Sequence, residues 1–503
     1  MIKNSQYRQR PFLFYLNLIF FLFFGCVTKQ EVRVESLDIS IPDAWVTPIA
    51  SSEKISGDWW SIFKDATLDT FLVRLKTESP DIRTLVQNQR IALHNAKING
   101  ASIYPSFNLA ARADTNVQNL SGFGFADSFL NNSGGNDSSN TSEQTSSTVL
   151  SFGNRNFGLS INLQWEIDVW GRLLNGRRAA YKDYESIKYD LSYLQFSILI
   201  RGTQLYFNAK EAAAQLELSK ESYQSLVEIR DLVKERYEKG LRPSLDYRLS
   251  ETSVATSIVS IENRKSLLRS LNRQIETLMG SYPSGTFIKE SKLPIALPPV
   301  PMGIPASVIE RRPDVRSLVL KLESAGHRVA QSKRDLLPGI ILNGSVGTST
   351  QEIEKIFDET YGVWNLGVNI TTPIFNGGRL RSINKIQESN YKNAKQDLIK
   401  GILNAFSEIE QFLEQNESLS IQNEALKVAV KQSKDAYQLS KERYDKGVTT
   451  LESVLNSQRQ YNAVRSQYLT IRKQSIENRL SLVLAMGGDF ELDIDQELIR
   501  EEK

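Results

Sequence analysis

Side chains able to do chemistry are sparse in this 503-residue chain, which has one cysteine, Cys26, and two histidines, His94 and His327. A single thiol allows no intramolecular disulfide. The histidines sit at equivalent places of an internal repeat, and two ligands with no cysteine partner and no His-Glu-x-x-His spacing fall short of a zinc shell. A structural or solvated role is expected of both, and no metal site. No paired-carboxylate motif, nucleophile elbow or phosphate loop stands out; Gly377-Gly378 lacks the Lys-Ser/Thr of a P-loop. The expectation is a protein with no catalytic residues and no cofactor, whose energy comes from a partner.

Cys26 follows a basic start and an apolar run, Phe12 to Phe24, interrupted only by Asn17. Residues 1–25 read as a secretory signal, too short for a span of about 20 residues. Phe23-Phe24-Gly25-Cys26 resembles a bacterial lipobox with Phe23 where Leu is usual. Cys26 is therefore the expected lipidation site, a tether for residues 26–66 rather than a spanning element. Removing Lys3, Arg8 and Arg10 with the leader leaves 58 basic residues against 58 acidic ones, so charge points to no nucleic-acid partner.

The chain is duplicated. Pro80-Asp81-Ile82 recurs as Pro313-Asp314-Val315, and Pro105 recurs as Pro338, both at an offset of 233. Further on, Gly171-Arg172-Leu173 matches Gly378-Arg379-Leu380, and Arg236-Tyr237-Glu238-Lys239-Gly240 matches Arg443-Tyr444-Asp445-Lys446-Gly447, both at 207. The first copy thus holds 26 extra residues, the difference of the offsets, within a Ser/Asn/Gly-rich tract from about Asn116 to Asn154 that reads as a surface loop. Residues 67–280 form the first repeat and 304–488 the second. A Pro-rich connector (281–303) joins them, and a tail (489–503) follows.

Each copy carries one β-hairpin, at about 104–170 and 337–375. Phe157, Leu159, Ile161, Leu163 and Trp165 alternate with Asn156, Gly158, Ser160, Asn162 and Gln164, and Trp364, Leu366, Val368 and Ile370 alternate with Asn365, Gly367, Asn369 and Thr371. That is period two with one apolar and one wet face. Trp165, Trp170 and Trp364 suit either an interfacial belt or a core, and Arg177 and Arg178 either headgroups or neighbouring helices. Proline-free runs follow each hairpin, Arg172 to Lys239 and Arg379 to Lys446, with apolar residues three and four apart. Each is a very long helix or a stacked pair, about 100 Å in length. Gly240 and Gly447 are the expected helix-end turns, with return helices within 172–280 and 379–487. Shorter helices, about Thr67 to Ser102 and Ile304 to Asp335, precede the hairpins.

Four strands cannot close a membrane barrel, and an open edge in hydrocarbon leaves backbone groups unsatisfied at several kcal/mol each. Eight strands enclose little more than side chains, whereas twelve leave a lumen. The expected fold is an α+β membrane protein: a trimeric 12-stranded β-barrel, four strands per chain, continued by a long periplasmic α-helical barrel.

Pro298-Pro299-Val300-Pro301-Met302-Gly303-Ile304-Pro305 with Arg311-Arg312-Pro313-Asp314-Val315 resembles the mid-chain signature of TolC-like outer-membrane factors, especially their lipoprotein branch. Asp58-Trp59-Trp60-Ser61-Ile62-Phe63, Asp168-Val169-Trp170-Gly171-Arg172 and Thr372-Pro373-Ile374-Phe375-Asn376-Gly377-Gly378 carry the resemblance from about Trp59 to Gly488. It implies a homotrimer in the outer membrane, docked through a periplasmic adaptor on an inner-membrane transporter. It also implies a periplasmic tip closed by polar side chains that opens like an iris. Carried over by position, Asp246, Tyr444, Glu452, Asn456 and Arg459 are the gate candidates. Asn456 stands where the family usually has Asp, and Ser453 where TolC has another, so Glu452 is left to supply the acidic ring. Alternatively all five are solvated helix-end residues.

The expected function is a passive efflux conduit. A type I protein secretion channel is the nearest alternative. A periplasmic coiled-coil scaffold whose hairpins pack on its own helices is another, and a surface enzyme or adhesin rests on the 116–154 tract alone.

Overall fold

The computed structural model describes residues 42–47, 59–119, 151–288, 292–294, 297 and 305–487. The signal segment, Cys26, the middle of the 116–154 tract, most of the Pro-rich connector and the tail lie outside them. The chain divides into two compact units. Among the described residues, one lies within Lys97–Ala180 and Gly326–Ser389, and the other within Arg33–Ala96, Tyr181–Ala325 and Asn390–Lys503.

Each repeat follows the same order. The first runs α1 (Ala66–Glu78), α2 (Pro80–Ala101), β1 (Ser106–Asn119), β2 (Ser151–Glu166), α3 (Arg172–Glu238) and α4 (Ser244–Leu278). The second runs α5 (Pro305–Arg311), α6 (Pro313–Arg334), β3 (Gly339–Thr348), β4 (Gly362–Thr371), α7 (Arg379–Asp445) and α8 (Leu451–Ala485). The long runs are single helices: α3 and α7 each have 67 residues, and α4 and α8 each have 35. The stretch before each hairpin is two helices, split at Ser79 and at Arg312. The cause is Pro80 and Pro313, which sit well at the first helical position but push the preceding residue out of the helical region.

In the first unit the strands form one antiparallel sheet in the order β1-β2-β3-β4. Two short 3-10 turns, Ile353–Lys355 and Glu359–Tyr361, connect β3 to β4. The first hairpin reaches further into the polar tract than its side chains suggest. Asn116 pairs with Asn154 and Asn119 with Ser151, so the ends of the expected loop are strand and only 120–150 lie outside the described residues. A two-stranded ladder is held by backbone bonds, which polar side chains do not prevent.

In the second unit α1 lies on α3 and the ends of α4 and α8, in an apolar cluster of Trp59, Phe71, Leu75, Phe207, Ile275 and Leu480 among others. Gly202 admits this packing, since a Cβ there would stand 2.5 Å from Leu75 Cδ2. Asp65 caps α1 through the amides of Thr67 and Leu68. Its other oxygen accepts from Lys210 at 2.6 Å and Tyr206 at 2.8 Å. Near the end of α4, the Glu276 carboxylate takes the amides of Gly285 and Thr286, at 2.6 and 3.0 Å, and the Ser284 hydroxyl. Asn272 bonds both backbone groups of Ile288. The start of the connector is therefore held against α4.

The helix break differs between repeats. Arg312, 2% exposed, chelates Asp314 at 3.0 and 2.7 Å, reaches Glu408 of α7 at 3.0 Å and donates to the Ala485 carbonyl of α8 at 2.9 Å. Ser79 holds the matching position, is fully buried, and its hydroxyl has no partner. Arg312→Ala is expected to cost about 2 kcal/mol, because charge-assisted bonds are lost while the half-exposed carboxylates rehydrate. Ser79→Ala is expected to be neutral or to stabilise by up to about 1 kcal/mol, since it removes an unsatisfied group. Denaturant unfolding followed by circular dichroism on both variants checks the contrast.

Candidate functional site

Register sorts the sheet into two faces, because side chains on paired strands alternate together. On one face Phe107 stands opposite Leu163 and Leu109 opposite Ile161. Ile161 in turn meets Val346, and Trp165 meets Leu342. Leu342 meets Val368, and Ile340 meets Ile370. The other face pairs Asn108 with Asn162, Gln164 with Asn343 and Ser345 with Asn365. Much of the apolar face is open: Phe107, Leu109, Ile161, Val346 and Ile370 are exposed and Trp364 is 78% exposed, while Leu163, Trp165 and Leu342 are half-buried. A contiguous apolar surface of this kind marks contact with lipid or protein.

The foot of the sheet is fixed by polar bonds. Trp165 Nε1 donates to the Ile103 carbonyl at 2.9 Å, and Trp170 Nε1 to that of Pro338 at 2.8 Å. Arg172, first residue of α3, grips both oxygens of Glu166 at the end of β2, each at 2.7 Å, and lies 3.4 Å from Asp335. Arg177 lies over the Tyr104 ring, 6.0 Å from its centroid. Of the two histidines, His94 is exposed, while His327 Nδ1 lies 3.2 Å from Asn175 Oδ1.

The second surface is the turn end of the long helices, within the other unit. Gly240 and Gly447 take left-handed φ angles of 72° and 74°. Both helices end with the same pair of backbone bonds, Leu241 to Arg236 and Gly240 to Tyr237, repeated as Val448 to Arg443 and Gly447 to Tyr444. This pair of hydrogen bonds closes each helix at its Lys-Gly pair with a left-handed glycine.

Above the turn, Tyr444 is buried at 2% exposure among Ile229 and Val233 of α3 and Leu451, Val454 and Leu455 of α8. The guanidiniums of Arg242 and Arg236 lie 4.6 and 5.6 Å from its ring centroid, a cation–π arrangement. Arg242 reaches the Tyr444 carbonyl at 3.5 Å, and Arg236 pairs with Asp445 at 3.4 Å. The Tyr444 hydroxyl itself is buried with no hydrogen-bond partner. Burial pushes this phenol above its ordinary value, with Asp246 adding to the rise and Arg242 opposing it.

The five gate candidates do not form one network within the chain. Tyr444 is interior, and Asp246 is half-buried in the first turn of α4. Glu452, Asn456 and Arg459 are exposed and, spaced four and three apart, share one face of α8. Arg459 donates to Asn456 Oδ1, and among the described residues no ion pair joins it to Glu452. Sequence reasoning missed Arg236 and Arg242. Arg236 lies in the repeated Arg-Tyr-x-Lys-Gly motif, a usable signal. Arg242 matches Thr449 in the second copy, and no local pattern reveals it.

The repeat also separates two tyrosines. Tyr237, the counterpart of Tyr444, is 41% exposed and stacks on Tyr247 at 5.6 Å. One position thus serves as a core anchor in one copy and a surface residue in the other.

A family profile described as outer membrane efflux protein matches residues 72–281 and 304–488. The pyoverdine export outer membrane protein OpmQ of Pseudomonas putida is 24% identical over 464 residues, covering 91% of this chain and 94% of that protein. The cation efflux system protein CusC of Escherichia coli K12 is 23% identical over 66% of this chain and 73% of its own length. The Campylobacter jejuni CmeC outer membrane channel superposes with a TM-score of 0.80 at 20% identity, covering 94% of this chain and 98% of CmeC.

Tyr444→Phe is expected to be neutral or to stabilise by up to about 1 kcal/mol, because the hydroxyl it removes bonds nothing. The raised phenol pKa means that its contribution is complete below about pH 10 and is lost as pH rises through the folded value. Unfolding measured from pH 8 to 11.5 should fall more steeply for the native chain than for the variant.

Proposed function

The chain belongs to the outer membrane efflux protein family, and from that premise we propose that three copies form the passive outer-membrane conduit of a tripartite efflux system. The observation that carries this reading is the sheet. Four strands end in β1 and β4, which have no further strand partner among the described residues, and a largely exposed apolar face lies opposite one of Asn, Ser and Gln. Among the described residues no helix is long and apolar enough to cross a membrane, so the apolar surface suited to lipid is on the strands. Three copies supply twelve strands, satisfy each open edge with a neighbour's, and turn the polar face to a water-filled lumen.

The roles of the other parts follow. The 67-residue helices, about 100 Å each, are of a length to cross periplasm rather than bilayer. Their turn ends carry the gate and meet a periplasmic adaptor, through which an inner-membrane pump supplies energy. Cys26 tethers the mature N-terminus to lipid. Small-molecule or ion efflux is favoured over protein secretion because the matched relatives are named for pyoverdine export and cation efflux. The scaffold alternative needs hairpins packed on the chain's own helices, which the full exposure of β4 disfavours.

Planar-bilayer recording on purified full-length protein tests the conduit. The native trimer is expected to conduct in a small, mostly closed state. Tyr444→Ala, which leaves a cavity at the turn, should raise conductance at least about tenfold, the factor that 1.4 kcal/mol supplies. No conductance from either protein would sink the reading.

A further inference from the structure

Above the turn the seam between α3, α4 and α8 changes character. Leu, Ile and Val give way to serine, asparagine and glutamine around a cleft of about 350 Å³. Its lining contains no Asp or Glu but two cations, Arg264 of α4 and Arg459 of α8. Arg264 makes no ion pair or hydrogen bond among the described residues, and Arg459 is committed only to the neutral Asn456.

The second observation is Gln458, which lines the cleft at 3% exposure with its Oε1 buried and without a partner. A buried acceptor left unsatisfied costs about 1–3 kcal/mol. The Ser222 hydroxyl accepts from Asn462 Nδ2 at 2.8 Å, which leaves its proton to donate elsewhere. The Ser260 hydroxyl, also in the lining, has no bond among the described residues. The cleft thus offers two guanidiniums and two free hydroxyl protons, and lacks one donor.

We propose that this cleft binds a hydrogenphosphate ion. Guanidiniums without carboxylates favour an oxyanion, and Arg fits a phosphate in bidentate fashion. The proton selects among oxyanions. Hydrogenphosphate carries a P–OH that donates to Gln458 Oε1 while its remaining oxygens accept from Arg264, Arg459, Ser222 and Ser260. Sulfate and a simple carboxylate carry no proton near neutral pH and leave Gln458 unsatisfied. The volume exceeds one phosphate, so water shares it. Bound there, the group ties α4 to α8.

Isothermal titration of the full-length detergent-solubilised protein, prepared phosphate-free, tests this with inorganic phosphate, glycerol phosphate and sulfate at matched ionic strength. The expected result is saturable phosphate binding at one site per chain, with sulfate at least about tenfold weaker and Arg264→Gln weakening phosphate by a similar factor. Gln458→Met should erase the preference over sulfate while sulfate binding persists. Glycerol phosphate, a monoester whose second pKa of about 6 leaves little P–OH at neutral pH, is expected to bind more weakly than inorganic phosphate, and equal or tighter binding overturns the proposal. Absence of saturable binding means that water alone fills the cleft and overturns the proposal, as does sulfate binding as well as phosphate or Arg264→Gln leaving affinity unchanged. The comparison of phosphate with sulfate needs no variant, so it stands even if a substitution impairs folding.

Discussion

An unpaired strand edge in hydrocarbon governs this molecule. Each backbone group left without a partner there costs several kcal/mol, and β1 and β4 each present a row of them. The chain cannot remove the problem alone, because two hairpins make an open sheet whatever their length. Oligomerisation is therefore a condition of membrane insertion rather than an addition to it. The same constraint accounts for the pleat. Once the edges are paired around a ring, alternate side chains must face lipid and lumen, and the register from Phe107–Leu163 to Ile340–Ile370 keeps every strand in phase. The additional length of the first hairpin, paired as far as Asn119 and Ser151, is polar and does not need hydrocarbon.

Duplication supplies two similar halves, and their differences allocate tasks. In a threefold ring of twofold repeats, identical halves would give near-sixfold symmetry at the turn end. Substitution breaks it. Leu245 and Leu249, exposed on α4, correspond to Glu452 and Asn456 on α8, so one turn offers apolar surface and the other polar. Tyr237 and Tyr444 divide in the same sense, as do Ser79 and Arg312. The apolar turn suits packing against a neighbour, and the polar turn suits an axis filled with water.

Much of this was legible in sequence, for identifiable reasons. The change of offset from 233 to 207 located the insertion and both hairpins. Strand parity and proline-free helical runs are local signals, and Gly240 and Gly447 declare their turns because a left-handed φ costs glycine little. Three features were illegible. The split at Arg312 is encoded by Pro313, but the reach of its guanidinium to Glu408 and Ala485 depends on contacts 96 and 173 residues away. Arg242 lies over Tyr444 only because α3 and α7 end side by side. The Asn and Gln that extend the first hairpin look like loop because composition reports side chains, whereas the ladder is backbone.

Stability is spread unevenly along the helices, and this bears on how a gate can work. Around Phe71, Phe207 and Ile275, 20 buried residues join α1, α3, α4 and α8. At the turn the cluster holding Tyr444 has only six. Between them in sequence, from Gln215 to Ser222 on α3 and from Gln458 to Ser466 on α8, the buried Leu216, Leu218 and Val464 stand beside side-chain hydrogen bonds such as Asn462 to Ser222 and Ser466 to Gln215, both 2.8 Å. Such bonds exchange with water at a net cost near 1 kcal/mol each, whereas a packed apolar seam loses its burial all at once. A small cluster separated from a large one by a more polar seam can open as a local unit. The turn end can therefore move without disturbing the core that holds α1, and the polar seam, weak as packing, is what makes that separation possible.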